Sequence, residues 1–236
     1  MKQKHASTVS RKFNWMVIAG TVAVVSACGG GGGSSSSSSS LTIQGTAAVG
    51  KALDGAAISI QCKQGSASTT SANDGFYTAT ISNGKAPCVI TATKSTLSLK
   101  SITPGAGIAN ITPLTDLLTN YLATRAGTSV SNLLSNSTGT AILSDTKAIA
   151  DAQTEIVNVI KTNFGVTVST TNFLTATLTT PSGGTQSDAD KDLDLLTNQG
   201  VLTSGGTAST NVVTATQTNA AQQPKYVPST GATGAS

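Results

Sequence analysis

Along this chain of 236 residues the apolar positions change period several times, and each change predicts a different kind of element. Between residues 41 and 104 the period is two. Ile58, Ile60 and Cys62 alternate with Ser59, Gln61 and Lys63, and Cys88, Ile90 and Ala92 alternate with Val89, Thr91 and Thr93. Both stretches read as half-buried strands, with each cysteine in line with the aliphatic residues of its strand. Asn73-Asp74-Gly75 is a turn signal, so Ser68–Thr70 and Phe76–Ile81 are expected to form a hairpin across it. Leu97 and Leu99 predict one more short strand, from which Ile102 falls out of phase and which ends before Pro104.

Beyond residue 105 the period becomes helical. Thr112 suits an N-cap and Pro113 the first helical position, and Leu114, Leu117, Leu118, Tyr121 and Leu122 form one apolar stripe closed by Gly127. Val130–Leu134 predicts a further helical turn. A long helix is expected from Asp145 to Phe164, capped by Ser144 and stopped by Gly165. A last helix is expected over Ser187–Asn198, with Ala189, Leu193 and Leu196 on one side and Gly200 as terminator. After Val201 large apolar residues become scarce, and the segment offers too little burial to offset its chain entropy. The expectation is an α+β chain, with a small disulfide-stapled antiparallel β-sandwich over 41–104, a helical domain over 105–203 and a disordered tail over 204–236.

The beginning of the chain sets its location. Lys2, Lys4, Arg11 and Lys12 precede an apolar run from Phe13 to Val25, the marks of a secretory signal. The run is about a dozen residues, too short to cross a bilayer core as a helix. Val25-Ser26-Ala27-Cys28 then resembles the lipobox of bacterial lipoproteins, an aliphatic residue and two small ones before a cysteine, with Val at the commonly Leu position. The resemblance implies cleavage after residue 27 and a lipid on Cys28, whose several acyl chains hold stably where one would not. Gly29 replaces the Asp that in related lipoproteins signals inner-membrane retention, which points to the outer membrane of the envelope. Residues 28–40 form a Gly/Ser tether, and a coil of that composition spans roughly 20 Å.

Cleavage changes the charge picture. The precursor carries 14 Lys+Arg against 10 Asp+Glu, and residues 1–27 hold four of those bases and none of the acids, leaving ten of each. The basic pI is therefore a property of the leader and gives no reason to expect nucleic acid as a partner. The same cut removes His5, Trp15 and both methionines. A mature chain without histidine has no Ser-His or Cys-His chemistry and none of the His-containing sites that dominate catalytic zinc. With Cys28 carrying lipid, Cys62 and Cys88 remain as a pair, expected to bridge in an oxidising compartment; two separate thiols or a metal pair are the alternatives.

Ile43-Gln44-Gly45, Leu53-Asp54-Gly55 leading into Ile58-Ser59-Ile60, Thr69-Thr70 and Asn73-Asp74-Gly75-Phe76-Tyr77 together resemble the carboxypeptidase regulatory-like, or transthyretin-like, β-sandwich over about 60 residues. That resemblance implies a non-catalytic stability, spacer or interaction domain. The stretch Ala109 to Thr115 is similar to a junction in bacterial envelope lipoproteins where such a module runs into helices.

Candidate sites are few. Asp188, Asp190, Asp192 and Asp194 suggest calcium, but Leu193 and Gln199 stand where an EF-hand needs Gly and Glu. Acids at a helix start favoured by its dipole, with Ser187 and Asp190 forming a capping-box pair, account for the same residues. Gly105-Ala106-Gly107 reads as an interdomain hinge, Asn110-Ile111-Thr112 matches a glycosylation sequon, and Phe76-Tyr77 can place one ring outward. Six aromatics remain in the mature chain, too few for a stacking platform. The expected function is a non-enzymatic, membrane-anchored envelope protein with no cofactor and no metal, acting as a structural or interaction module on an envelope protein partner. The alternative is a small apolar ligand or lipid held among the helices.

Overall fold

Why the aliphatic positions at 58, 60, 90 and 99 alternate is plain in the computed structural model, which describes residues 39–180 and 185–228. They line the inner face of a four-stranded antiparallel sheet in the order β3-β2-β5-β6, built from β2 (Ala57–Gln64), β3 (Ser66–Thr70), β5 (Lys85–Lys94) and β6 (Leu97–Thr103). Opposite stands a three-stranded sheet in which β1 (Ser40–Thr46) lies between β4 (Phe76–Ser82) and β7 (Gly107–Ile108). Ile43, Tyr77 and Ile81 from this sheet meet Ile58, Ile60, Ile90 and Leu99 from the other in one buried core. The architecture is the expected α+β one with a disulfide-stapled sandwich. The described N-terminal limit leaves residues 1–27, Cys28 and nearly all of the tether outside the described residues.

The expected hairpin over Asn73-Asp74-Gly75 is corrected. The turn is present, with Phe76 N–H donating to Asp74 Oδ1 at 3.0 Å and Gly75 at φ 81°. Its two strands, however, belong to different sheets: β3 pairs with β2, and β4 pairs with β1 from Ser40↔Ser82 to Thr46↔Phe76. Buried Ser71 fixes the corner, accepting from Ala56 N–H at 2.9 Å and donating to the Leu53 carbonyl. A turn signal specifies a reversal of direction, whereas the partner strand is chosen by which apolar face needs cover.

Ile102 is out of phase with Leu99 because β6 is covered on both faces. Leu99 points into the sandwich, while Ile102 and its register partner Val89 face the opposite way, against the helices. The first helix, α1 (Pro113–Arg125), has the capping box of Thr112 and Thr115 and also closes the sheet edge. Thr115 Oγ1 donates to the Lys100 carbonyl at 3.0 Å, and Asp116 Oδ1 accepts from Lys100 N–H at 2.9 Å. An edge strand is thereby supplied with hydrogen bonds it would otherwise offer to another chain. Burial pushes the Asp116 carboxyl up, opposed by that backbone bond and by the Lys100 charge.

Three expectations about the rest of the chain change. The long helix α3 begins one residue later than expected and is capped by Asp145, whose Oδ1 accepts from Ala148 N–H at 3.0 Å; Ser144 instead ends a preceding helix, α2 (Ser137–Ser144), and α3 spans Thr146–Phe164. Thr, Ser and Gly in α2 conceal it, since all are modest helix formers, and Asn136 supplies its cap at Gly139. A short 3₁₀ turn at Val130–Asn132 and α4 (Asp188–Asn198) stand where expected.

The boundary after residue 104 also runs through the sandwich. Gly107 and Ile108 pair in parallel with Ile43 and Gln44, and Ile111 bridges Ala47. Gly105-Ala106-Gly107 thus leads into a strand and is no interdomain hinge. The described residues form one compact unit.

The tail expected to be disordered over 204–236 contains a fifth helix, α5 (Thr210–Gln222). Val212, Thr216 and Ala220 repeat every four residues along its buried face, and Tyr121 Oη donates to Asn219 Oδ1 at 2.9 Å. Small side chains let α5 approach α1 and α3 closely, so a low count of large apolar residues did not mean a lack of packing. Beyond it Tyr226 binds the Arg125 carbonyl through its N–H and Asp145 through its hydroxyl; residues 229–236 lie outside the described residues.

Candidate functional site

Cys62 and Cys88 are bonded to each other and sit directly opposite on β2 and β5. Cys62 N–H donates to the Gly65 carbonyl on the β3 side, so the pair faces without mutual backbone bonds, the closer kind of antiparallel neighbour. The bond closes a loop of sequence separation 26, which the chain-entropy account makes worth roughly 3.5 kcal/mol. The separate thiols and the metal pair are thereby set aside. Cys28, the lipidation residue, lies outside the described residues.

The four aspartates are not brought to one point. Asp188 is exposed and pairs with Lys191 at 3.0 Å. Asp192 is buried and ties the connection after α3 to α4, with Oδ1 accepting from Ser169 N–H at 3.0 Å and Oδ2 from Thr170 N–H at 2.8 Å. Asp190 and Asp194 share one amide: Gln186 Nε2 donates to Asp190 Oδ2 at 2.8 Å and to Asp194 Oδ2 at 2.6 Å. Asp190 Oδ1 has no hydrogen-bond partner. Burial pushes its carboxyl up, the Gln186 bond pulls it back, and the Asp194 charge raises it further. Among the described residues no three His, Cys, Asp or Glu side chains converge as a metal site. Of the expected capping box only half forms, because Ser187 Oγ accepts from Asp190 N–H while Ser187 N–H itself donates to Thr179 O.

Two further positions have roles that differ from what their motifs suggest. Asn110, met as a sequon, is 2% exposed. Its Oδ1 accepts from Thr46 N–H, its Nδ2 donates to the Ala176 carbonyl at 2.7 Å, and its own N–H reaches Leu174 O. It pins the 173–176 segment to the sandwich, and no sequence signal marks that role. Ser144 and Lys147 have the Ser-x-x-Lys spacing of some nucleophiles. Here they turn apart, Ser144 donating to Thr140 O and Lys147 to Asp151.

Phe76 and Tyr77 divide as expected. Tyr77 is buried, its hydroxyl donating to the Ala109 carbonyl and its acidity suppressed by desolvation. Phe76 is 42% exposed, near the 46% exposed Ile108, with which it lines a shallow depression of about 170 Å³. A larger groove of about 350 Å³ runs along α3, where Ile149, Leu174 and Pro104 give apolar floor and Thr146, Gln153, Asn172 and Thr175 polar walls. Its volume is in the range of small-ligand sites, but it is open along its length. No helix among the described residues is long and apolar enough to cross a membrane. Compared with protein families, curated proteins and solved structures, the chain finds no match.

Proposed function

We propose that this chain is a lipid-anchored protein of the bacterial envelope whose folded part serves as a structural or interaction module rather than an enzyme. Lipid on Cys28 and the Gly/Ser stretch after it hold the module at a membrane, the outer membrane on the strength of Gly29. The observation that carries the module reading is where the aspartates' hydrogen bonds go. Asp192 joins two segments of backbone, Asp190 and Asp194 clasp Gln186, and Asp116 closes a sheet edge. These four carboxylates are thus engaged in holding the fold. The likeness of residues 43–77 to the carboxypeptidase regulatory-like sandwich supports the same reading.

The groove along α3 favours a second reading, a small apolar ligand or lipid, since Ile149 and Leu174 form part of its floor. Crosslinking in intact cells, followed by mass spectrometry of the purified protein, separates the two. The module reading expects crosslinks to one envelope protein in high yield. A small apolar molecule released on denaturation, with no protein crosslink, contradicts it and supports the second.

A further inference from the structure

The end of the sandwich at which the chain enters the fold differs in chemistry from the other end. Ser40 opens β1 opposite Ser82, so the chain arrives beside the turn that joins β4 to β5. The turn between β2 and β3 lies against it: a Cβ on Gly65 would sit 2.7 Å from Ile81 Cγ2 and 3.5 Å from Gly84 Cα. Gln64 is the register partner of Lys85, which places the exposed Lys63 and Lys85 on neighbouring strands at this end, close to the Cys62–Cys88 bond. Tyr226 and Pro228 share a groove of about 430 Å³ with Lys63. Val227 between them is 79% exposed, more than any other large apolar residue described. Asp145 also lines that groove, but its two oxygens accept from Ala148 N–H and the Tyr226 hydroxyl.

Both aspartates of the sandwich are at the far end. Asp54 precedes the start of β2, where Lys94 binds its carbonyl, and Asp74 precedes the start of β4. The two halves of the chain also differ in net charge. Residues 39–104 hold five lysines against two aspartates, a net charge of +3; residues 105–228 hold Arg125 and four lysines against seven aspartates and Glu155, a net charge of −3.

We propose that this end, through Lys63, Lys85 and Val227, docks on a bilayer surface bearing anionic phospholipid headgroups. The inference rests on the anchored reading above. Two lysines brought to such a surface give on the order of a thirtyfold preference, too little to recruit a free protein. With the chain attached a short Gly/Ser stretch away, the contact becomes intramolecular, at an effective concentration in the millimolar range, and a weak surface suffices. Asp194, which approaches Gly50 at the far end, is then directed away from the headgroups, and Val227 adds an apolar contact near Lys63.

The test uses the chain from Cys28 onward, coupled through the Cys28 thiol to a maleimide lipid in vesicles, since Cys62 and Cys88 are paired. Lysine acetylation is followed by mass spectrometry on vesicles of phosphatidylcholine and of phosphatidylcholine with phosphatidylglycerol. Lys63 and Lys85 are expected to react at least about threefold more slowly on the anionic vesicles, with the difference lost at high salt, while Lys94 and Lys161 react equally on both. Lys63→Glu with Lys85→Glu removes the preference for anionic vesicles in the orientation, read as the protection of neighbouring Tyr226 from iodination. Equal rates at Lys63 and Lys85 on both vesicles, or uniform slowing of all lysines, overturns the proposal. Because the anchor is supplied chemically, failure here leaves the reading of Cys28 intact; that reading is decided by the mass of its peptide from cells.

Discussion

Ending the chain after Ala208 is expected to lower its thermal midpoint by on the order of 10 °C. The truncation removes α5 with buried Val212, Thr216 and Ala220, and strips cover from the α1 face that carries Tyr121. Full burial of one valine is worth about 1.5–3 kcal/mol, and the loss of Tyr226 contacts and the exposure of the partner face bring the total to roughly 4 kcal/mol. For a domain of this size each kcal/mol moves the midpoint by about 2–4 °C. Circular dichroism melts of the chain from Cys28 onward and of the same chain ended after Ala208 make the comparison. An unchanged midpoint would mean that the tail is dispensable, as its composition suggests. Val212→Asp, which puts an unpaired charge at the same contact, is expected to shift the midpoint in the same direction.

Gly45→Val is expected to cost about 4 kcal/mol or to prevent folding. A Cβ on Gly45 would lie 2.1 Å from the Ala109 carbonyl oxygen and 2.7 Å from its carbon. Neither is a movable side-chain tip. That carbonyl accepts from Tyr77, and the next residue is Asn110, which binds Thr46 N–H and the 173–176 segment. To make room, β7 has to leave β1, so one added carbon disturbs the point where the sandwich is joined to the loop beneath the helices. Gly105→Ala is the control, because nothing lies within 4 Å of its Cβ position; it is expected to stay within about 0.5 kcal/mol of the parent. Urea midpoints of both variants show whether the two glycines differ as the geometry requires.

Much of this fold is legible because its signals are local. Ile58 and Ile60 alternate with polar residues over adjacent positions, Thr112-Pro113 announces α1, and Ser187 caps α4 within three residues. The strand of Leu99 was readable and the placing of Ile102 was not, because the second burying surface comes from helices later in the chain. The partner of β4 was hidden for the same reason: Asp74-Gly75 encodes a turn, but the partners on β1 lie 30 to 42 residues upstream, from Thr46↔Phe76 to Ser40↔Ser82. In α5 the stripe of Val212, Thr216 and Ala220 has the right spacing but too little hydrophobicity to be seen. The acidic residues were visible as a group, whereas Ser169, Thr170 and the double use of Gln186 were not. The partners of Asp192 are set by tertiary approach, 22 and 23 residues away.

Cys28 carries the central claim, and the mass of its peptide decides it. Protein isolated from the membranes of a bacterial host is digested, and its N-terminal peptide is measured beside that of Cys28→Ala. The account predicts a wild-type peptide that begins at Cys28 and carries the added mass of a diacylglyceryl group with a further acyl chain, and a Cys28→Ala protein that keeps residues 1–27 and lacks that mass. A wild-type peptide with an unmodified Cys28, or the same mass and the same membrane partitioning in both proteins, would contradict it.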